Sequence, residues 1–97
     1  MKQLHVADFA DKVGQLFQLV HAQETVDLRL SKAEPGQNTR PGSGRESFSL
    51  YFTTVQPVFL DQAIHLLRHP EMGEVQIFLT PIGRNEDGTF NYQAVFN

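Results

Sequence analysis

From Thr25 to Phe96 apolar side chains recur at every second position, and that alternation is the strongest constraint on what this chain can fold into. Val26, Leu28 and Leu30 alternate with Asp27, Arg29 and Ser31, so one side of an extended segment meets a core and the other meets water. Residues 46–54 repeat the pattern, with Phe48, Leu50 and Phe52 inward and Ser47, Ser49, Tyr51 and Thr53 on the opposite side. Residues 63–69 read with Ile64 and Leu66 inward, 74–80 with Val75, Ile77 and Leu79 inward, and 90–96 with Phe90, Tyr92, Ala94 and Phe96 inward. Hydroxyl and aromatic side chains suit such pleated surfaces. Residues 15–22 form a sixth strand, in which Phe17, Leu19 and His21 alternate with Leu16, Gln18 and Val20. Ahead of it Val6, Phe9, Ala10 and Val13 are spaced as on one face of a helix, and Gly14 stands where a helix-ending glycine belongs.

The turn residues agree with antiparallel pairing. Pro70-Glu71-Met72-Gly73 reads as a four-residue turn that pairs His69 with Glu74, setting Leu66 opposite Ile77 and Ile64 opposite Leu79. A slip of one residue would turn every side chain of that strand to the other face. Asn85-Glu86-Asp87-Gly88 is a type I turn sequence with a glycine suited to a bulge, and leaves the register of its hairpin open. The expected architecture is all-β, or β-rich α+β: a six-stranded antiparallel small barrel or sandwich with one short N-terminal helix, as a single domain over residues 1–97.

Composition supports a folded domain and narrows its chemistry. Leu, Ile, Val and Phe supply 29 of the 97 residues, enough for a modest core. Eight Lys and Arg against eleven Asp and Glu give a net charge of -3, which argues against nucleic acid as a partner. The absence of cysteine removes disulfides, thiolate catalysis, Cys-ligated zinc and iron–sulfur clusters. No apolar run reaches the roughly 18 residues of a membrane span, and the opening Met-Lys-Gln-Leu-His has no secretory pattern, so no membrane and a cytoplasmic location are expected. The chain reads as a complete small gene product.

Residues 34–45 hold two prolines, three glycines and no large apolar side chain, as in a mobile surface loop. Gly36 to Gly42 lacks the Lys-Ser/Thr of a phosphate loop, and Gly42-Ser43-Gly44 precedes a strand where a dinucleotide fingerprint opens a helix. His65 and His69 are four apart, which joins two metal ligands on a helix but separates them by about 13 Å on a strand. His5 and His21 have no acidic or histidine neighbour at a useful offset. No metal site, cofactor or catalytic residue is therefore expected.

One apolar residue on each of four strands falls on the side away from the core: Tyr51, Leu67, Phe78 and Val95. Cover from a second layer, or from the helix carrying Phe9 and Val13, is the expected explanation, with a subunit interface as the functional one. Val58, Phe59 and Leu60, after Pro57, make a second apolar cluster in a connection. Exposed, it is a partner-binding spot; folded over a barrel end, it is a plug.

Arg45-Glu46-Ser47-Phe48-Ser49-Leu50-Tyr51-Phe52, His69-Pro70-Glu71-Met72-Gly73, Ile77-Phe78-Leu79-Thr80-Pro81-Ile82-Gly83 and the ending Tyr92-Gln93-Ala94-Val95-Phe96-Asn97 resemble a family of small uncharacterised bacterial domains of unknown function. The resemblance spans nearly the whole chain. It implies a compact domain with no activity, cofactor or catalytic residue to carry over, and an assembly role near phage-tail-like components. Residues 53–61 depart from the family pattern, holding Val58-Phe59-Leu60 where glycine and proline are usual. Arg45 and Glu46, opposite charges at a strand entrance, are positioned to pair with neighbouring strand ends or a partner.

The function expected from the sequence is a non-enzymatic protein-interaction or assembly module that binds an unknown protein partner or copies of itself. Arg45, Glu46, Val58, Phe59 and Leu60 are its candidate contacts. The alternative is a small-ligand-binding β-barrel whose aromatic residues line a cavity.

Overall fold

The structure is a computed structural model that describes residues 4–21, 23–36 and 47–96, with the side chain of His21 excepted. A single helical turn and a half, α1 (Val6–Ala10), precedes six strands: β1 (Leu16–His21), β2 (Glu24–Pro35), β3 (Phe48–Thr54), β4 (Ala63–His69), β5 (Gly73–Arg84) and β6 (Phe90–Phe96). All pairings are antiparallel, and the sheet closes on itself in the order β1-β2-β3-β6-β5-β4. Closure is what lets so short a chain build a core from alternating strands, because every inward residue meets another across the axis.

That core contains Phe17 and Leu19 of β1, Val26, Leu28 and Leu30 of β2, Phe48, Leu50 and Phe52 of β3, Val75, Ile77 and Leu79 of β5, and Tyr92 and Ala94 of β6, all buried. For β2, β3, β5 and β6 the inward phase read from the alternation is the one observed, with Phe90 and Phe96 only partly buried; in β1, whose alternation left the side open, Phe17 and Leu19 face in. Phe9 of α1 enters from one end and touches Phe17, Phe48 and Phe96 at ring-centroid distances of 6.1–6.3 Å. The helix is shorter than its apolar spacing suggested: it ends at Ala10, residues 11–14 turn, and Val13 is exposed. Lys12 closes this end, its Nζ donating to the Asp8 carbonyl at 2.9 Å, where a cation meets the unpaired carbonyls of a helix terminus.

Two bulges keep the alternation in step with the barrel. Between Leu30 and Lys32 the β2–β3 register shifts by one residue. Without the shift Lys32, which shares parity with Leu30, would point into the core; with it, Ala33 turns inward opposite Leu50 and Lys32 lies outside. A second shift between Pro81 and Gly83 leaves Ile82 exposed on β5. Pro81 thus sits beside a bulge, where the sheet tolerates its missing N–H.

The strand β4 overturns the expected register. His69 pairs with Gly73, not Glu74, so Leu67 faces Val75 and His65 faces Ile77. Leu67 and His69 are buried while Ile64 and Leu66 are exposed, the reverse of the sequence reading. The loop is three residues, Pro70 to Met72, because Gly73 adopts φ +74° and starts the return strand itself. The β5–β6 hairpin, whose register the sequence left open, pairs Arg84 with Phe90 around residues 85–89, with Gly88 at φ +88°.

The expected cover over the outer apolar residues is also absent among the described residues. The sheet curls into one barrel with no second layer, and α1 plugs an end instead of lying on the wall. Leu67 belongs inside; Phe78 and Val95 are about half exposed.

Candidate interaction surface

The face that the register of β4 turns outward is unusually apolar. Ile64 and Phe78 are directly paired across β4 and β5, and are 66% and 48% exposed. Leu66 lies one pleat along β4 and Val20 projects from β1 beside it, the two lining a shallow groove of about 150 Å³ with Gln18, Thr25 and Arg68. On the other side, continuing the Thr80–Gln93 register by one pleat brings Phe78 alongside Val95 of β6, itself opposite Ser49 of β3. Four adjacent strands therefore contribute to one apolar strip. Its border is polar: Arg68 and Glu74, paired across β4 and β5, form an exposed ion pair at 2.9 Å, and Gln76, Thr80 and Gln93 complete the rim. Monomeric proteins seldom leave a contiguous apolar area of more than a few hundred Å² in water.

The cluster at Val58 to Leu60 folds over the opposite end of the barrel from α1. Gln56 clamps the start of this connection, accepting from the Asp27 N–H at 2.9 Å and donating to the Asp27 carboxylate at 3.2 Å. Leu60 is fully buried, and its N–H donates to the Tyr92 hydroxyl at 2.7 Å, so it is the plug of that end. Burial pushes the Tyr92 phenol above its ordinary pKa, against the opposing effect of the Leu60 hydrogen bond. Val58 is half-buried against the core, while Phe59 is half exposed and meets the Phe90 ring edge-on at 5.4 Å. Arg45 and Glu46 lie outside the described residues.

Polar side chains are committed to holding turns and ends. The buried His69 ring packs at 4.7 Å from Phe17, bonds through Nε2 to the Gln15 side chain at 2.6 Å, and accepts the Glu71 N–H at Nδ1. His65, four residues away on the same strand, bonds instead to the Asp61 carbonyl at 2.8 Å. At the α1 end Lys12 donates to Asp11, which raises the ammonium's pKa and holds the carboxylate below its usual value. Among the described residues no group of three or more His, Cys, Asp or Glu is placed to hold a metal ion, and no helix is long and apolar enough to cross a membrane. Two grooves of about 580 Å³ each run over the surface, one along Leu16, Gln18, Arg68 and Glu74, the other between α1 and β5.

Ile64 and Leu66 were missed as surface residues because the segment Ala63-Ile64-His65-Leu66-Leu67-Arg68-His69 is apolar in either phase; the side taken by Val20 was left open because β1 too is apolar in both phases, Leu16 and Val20 alternating with Phe17 and Leu19. The signal that separates the phases is charge: only the observed register sets Arg68 beside Glu74 on the solvent side.

The chain belongs to a family described as a domain of unknown function (DUF6916), whose model matches residues 4–96. No curated protein and no solved structure matches it.

Proposed function

We propose that this member of a family of unknown function is a non-catalytic interaction module, in which the closed barrel serves as a rigid frame for a contact surface on β1, β4, β5 and β6. One observation carries the reading: Val20, Ile64, Leu66, Phe78 and Val95 stand together in water on the outer wall, although the interior already holds a complete core. Keeping them there costs solubility without adding to the barrel's own packing, and an uncharged centre with a polar rim is the anatomy of a protein contact. Phe59 at the barrel end is a separate and smaller apolar spot.

A small-molecule site inside the barrel has less support. Phe17, Phe48, Phe52, Leu60 and Tyr92 are fully buried along the interior, so a ligand there would have to displace them.

The test is site-specific photo-crosslinking in the native host, with the crosslinker at position 78 or, on the diametrically opposite strand β2, at position 29. The module reading expects a discrete protein adduct from position 78 and none from position 29. Equal labelling at both positions, or no adduct at either, contradicts it.

A further inference from the structure

From the shape and charge of that face we infer that its occupant is a second copy of the chain, seated by a two-fold axis that runs parallel to the strands midway between β4 and β5. This inference rests on the interaction-module reading and adds the identity of the partner. A two-fold dimer brings one surface against itself, so its residues must complement one another in pairs across the axis. The observed register supplies such pairs. Ile64 and Phe78 are cross-strand neighbours, so rotation about a line between their strands sets Ile64 of one copy on Phe78 of the other, twice. Two pleats along, the same rotation carries Arg68 over Glu74 of the second copy, again twice. Leu66 falls against Gln76, while Val20 and Val95 extend the contact on either side. Along the strands the apolar pairs and the ion pairs stand two pleats apart with Leu66 and Gln76 between them, and the exposed ion pairs fix orientation more than affinity.

Charge and area fit the same occupant. Within the face Arg68 and Glu74 cancel, so nothing in it selects a strongly acidic or basic partner, and two copies of net charge -3 repel weakly. A standard interface takes about 800 Å² from each partner, roughly one-eighth of the 6306 Å² accessible surface, and two adjacent strands of a six-stranded barrel present about a third of its outer wall.

Sedimentation equilibrium across a dilution series, from about 1 mM to 1 µM, tests the inference, with circular dichroism confirming that each variant is folded. The wild-type protein is expected to pass from twice 11.0 kDa to 11.0 kDa as it is diluted. Ile64→Glu and Phe78→Glu should each weaken association by about ten-fold or more, as expected when a charge is placed in a buried apolar contact. Ile82→Glu, which changes an equally exposed apolar residue at the β5 bulge outside the face, should leave association unchanged. Arg68→Glu should weaken it, and pairing that change with Glu74→Arg should restore it. A monomer throughout the series, or a dimer indifferent to Ile64→Glu and Phe78→Glu, overturns the inference. A monomer that still forms adducts to another protein from position 78 in the host overturns the second copy alone and leaves the module reading standing.

Discussion

Tyr92 joins the core to the loop that closes it. Its ring is fully buried, and its hydroxyl receives the N–H of Leu60, a donor that the closed end shields from water. Tyr92→Phe keeps the ring and removes the acceptor, leaving a buried amide without its partner at a cost of about 1–3 kcal/mol, measurable by urea denaturation. The phenol also makes stability depend on pH. Burial raises its pKa in the folded state above the ordinary 10.0, so the folded chain keeps a proton that the unfolded chain releases. The stabilisation is present below pH 10 and is lost as pH rises from there toward the folded value. Lys12 and Lys32, whose pKa values are raised by the hydrogen bonds they donate to Asp11 and Glu34, lose stabilisation in the same alkaline range. The difference between wild type and Tyr92→Phe therefore isolates the phenol, and the variant should lose less stability between about pH 9 and 11.

Within the β4–β5 hairpin a single glycine decides which side chains are core. Because Gly73 begins the return strand with a positive φ, the loop is one residue shorter than its Pro-Glu-Met-Gly composition suggests, and β4 is flipped. Leu67→Ala should cost about 2–5 kcal/mol, as for other large-to-small changes in a packed interior. Leu66→Ala should stay within about 0.5 kcal/mol of wild type, as for an exposed position. Thermal or urea unfolding of the two neighbours reads the register directly, and the opposite order would restore the pairing of His69 with Glu74. β2 and β3 were legible from sequence because each has one dominant apolar phase: Val26, Leu28 and Leu30 alternate with Asp27, Arg29 and Ser31, and Phe48, Leu50 and Phe52 with Ser49, Tyr51 and Thr53. In β4 leucines occupy both phases, so hydrophobicity alone could not choose. The bulge at Ser31 was hidden for a related reason, since nothing before Lys32 signals that the lysine must be turned outward.

The whole barrel is closed unevenly. Among the described residues the ladders of β2 with β3, β3 with β6 and β4 with β5 run over six or seven residue pairs, whereas β1 meets β4 through Gln18 with Arg68 and Leu19 with Leu67. That seam should open first, since local opening tracks how few contacts and hydrogen bonds must be given up. Amide hydrogen exchange is expected to show lower protection in β1 and β4 beside the seam than in β3, and uniform protection around the barrel would contradict this. The proposed contact surface straddles the same seam through Val20 and Leu66, so a partner seated there would also hold the barrel shut. What the sequence announced at this level was a closed or layered β fold. The bare outer strip was only half visible, as Phe78 and Val95, because its other members depended on the register of β4.

The proposed function requires the outer wall of β4 and β5 to be bare in the isolated domain and covered in its working state. The chain has no cysteine, so single Ile64→Cys, Phe78→Cys, Leu67→Cys and Arg29→Cys variants each report one position by maleimide labelling. In dilute purified protein the thiols at 64, 78 and 29 should react readily and the thiol at 67 should not. In concentrated purified protein, or in concentrated host extract, the reaction at 64 and 78 should slow while that at 29 keeps its rate. A reactive thiol at 67, or rates at 64 and 78 that neither condition changes, would contradict this picture.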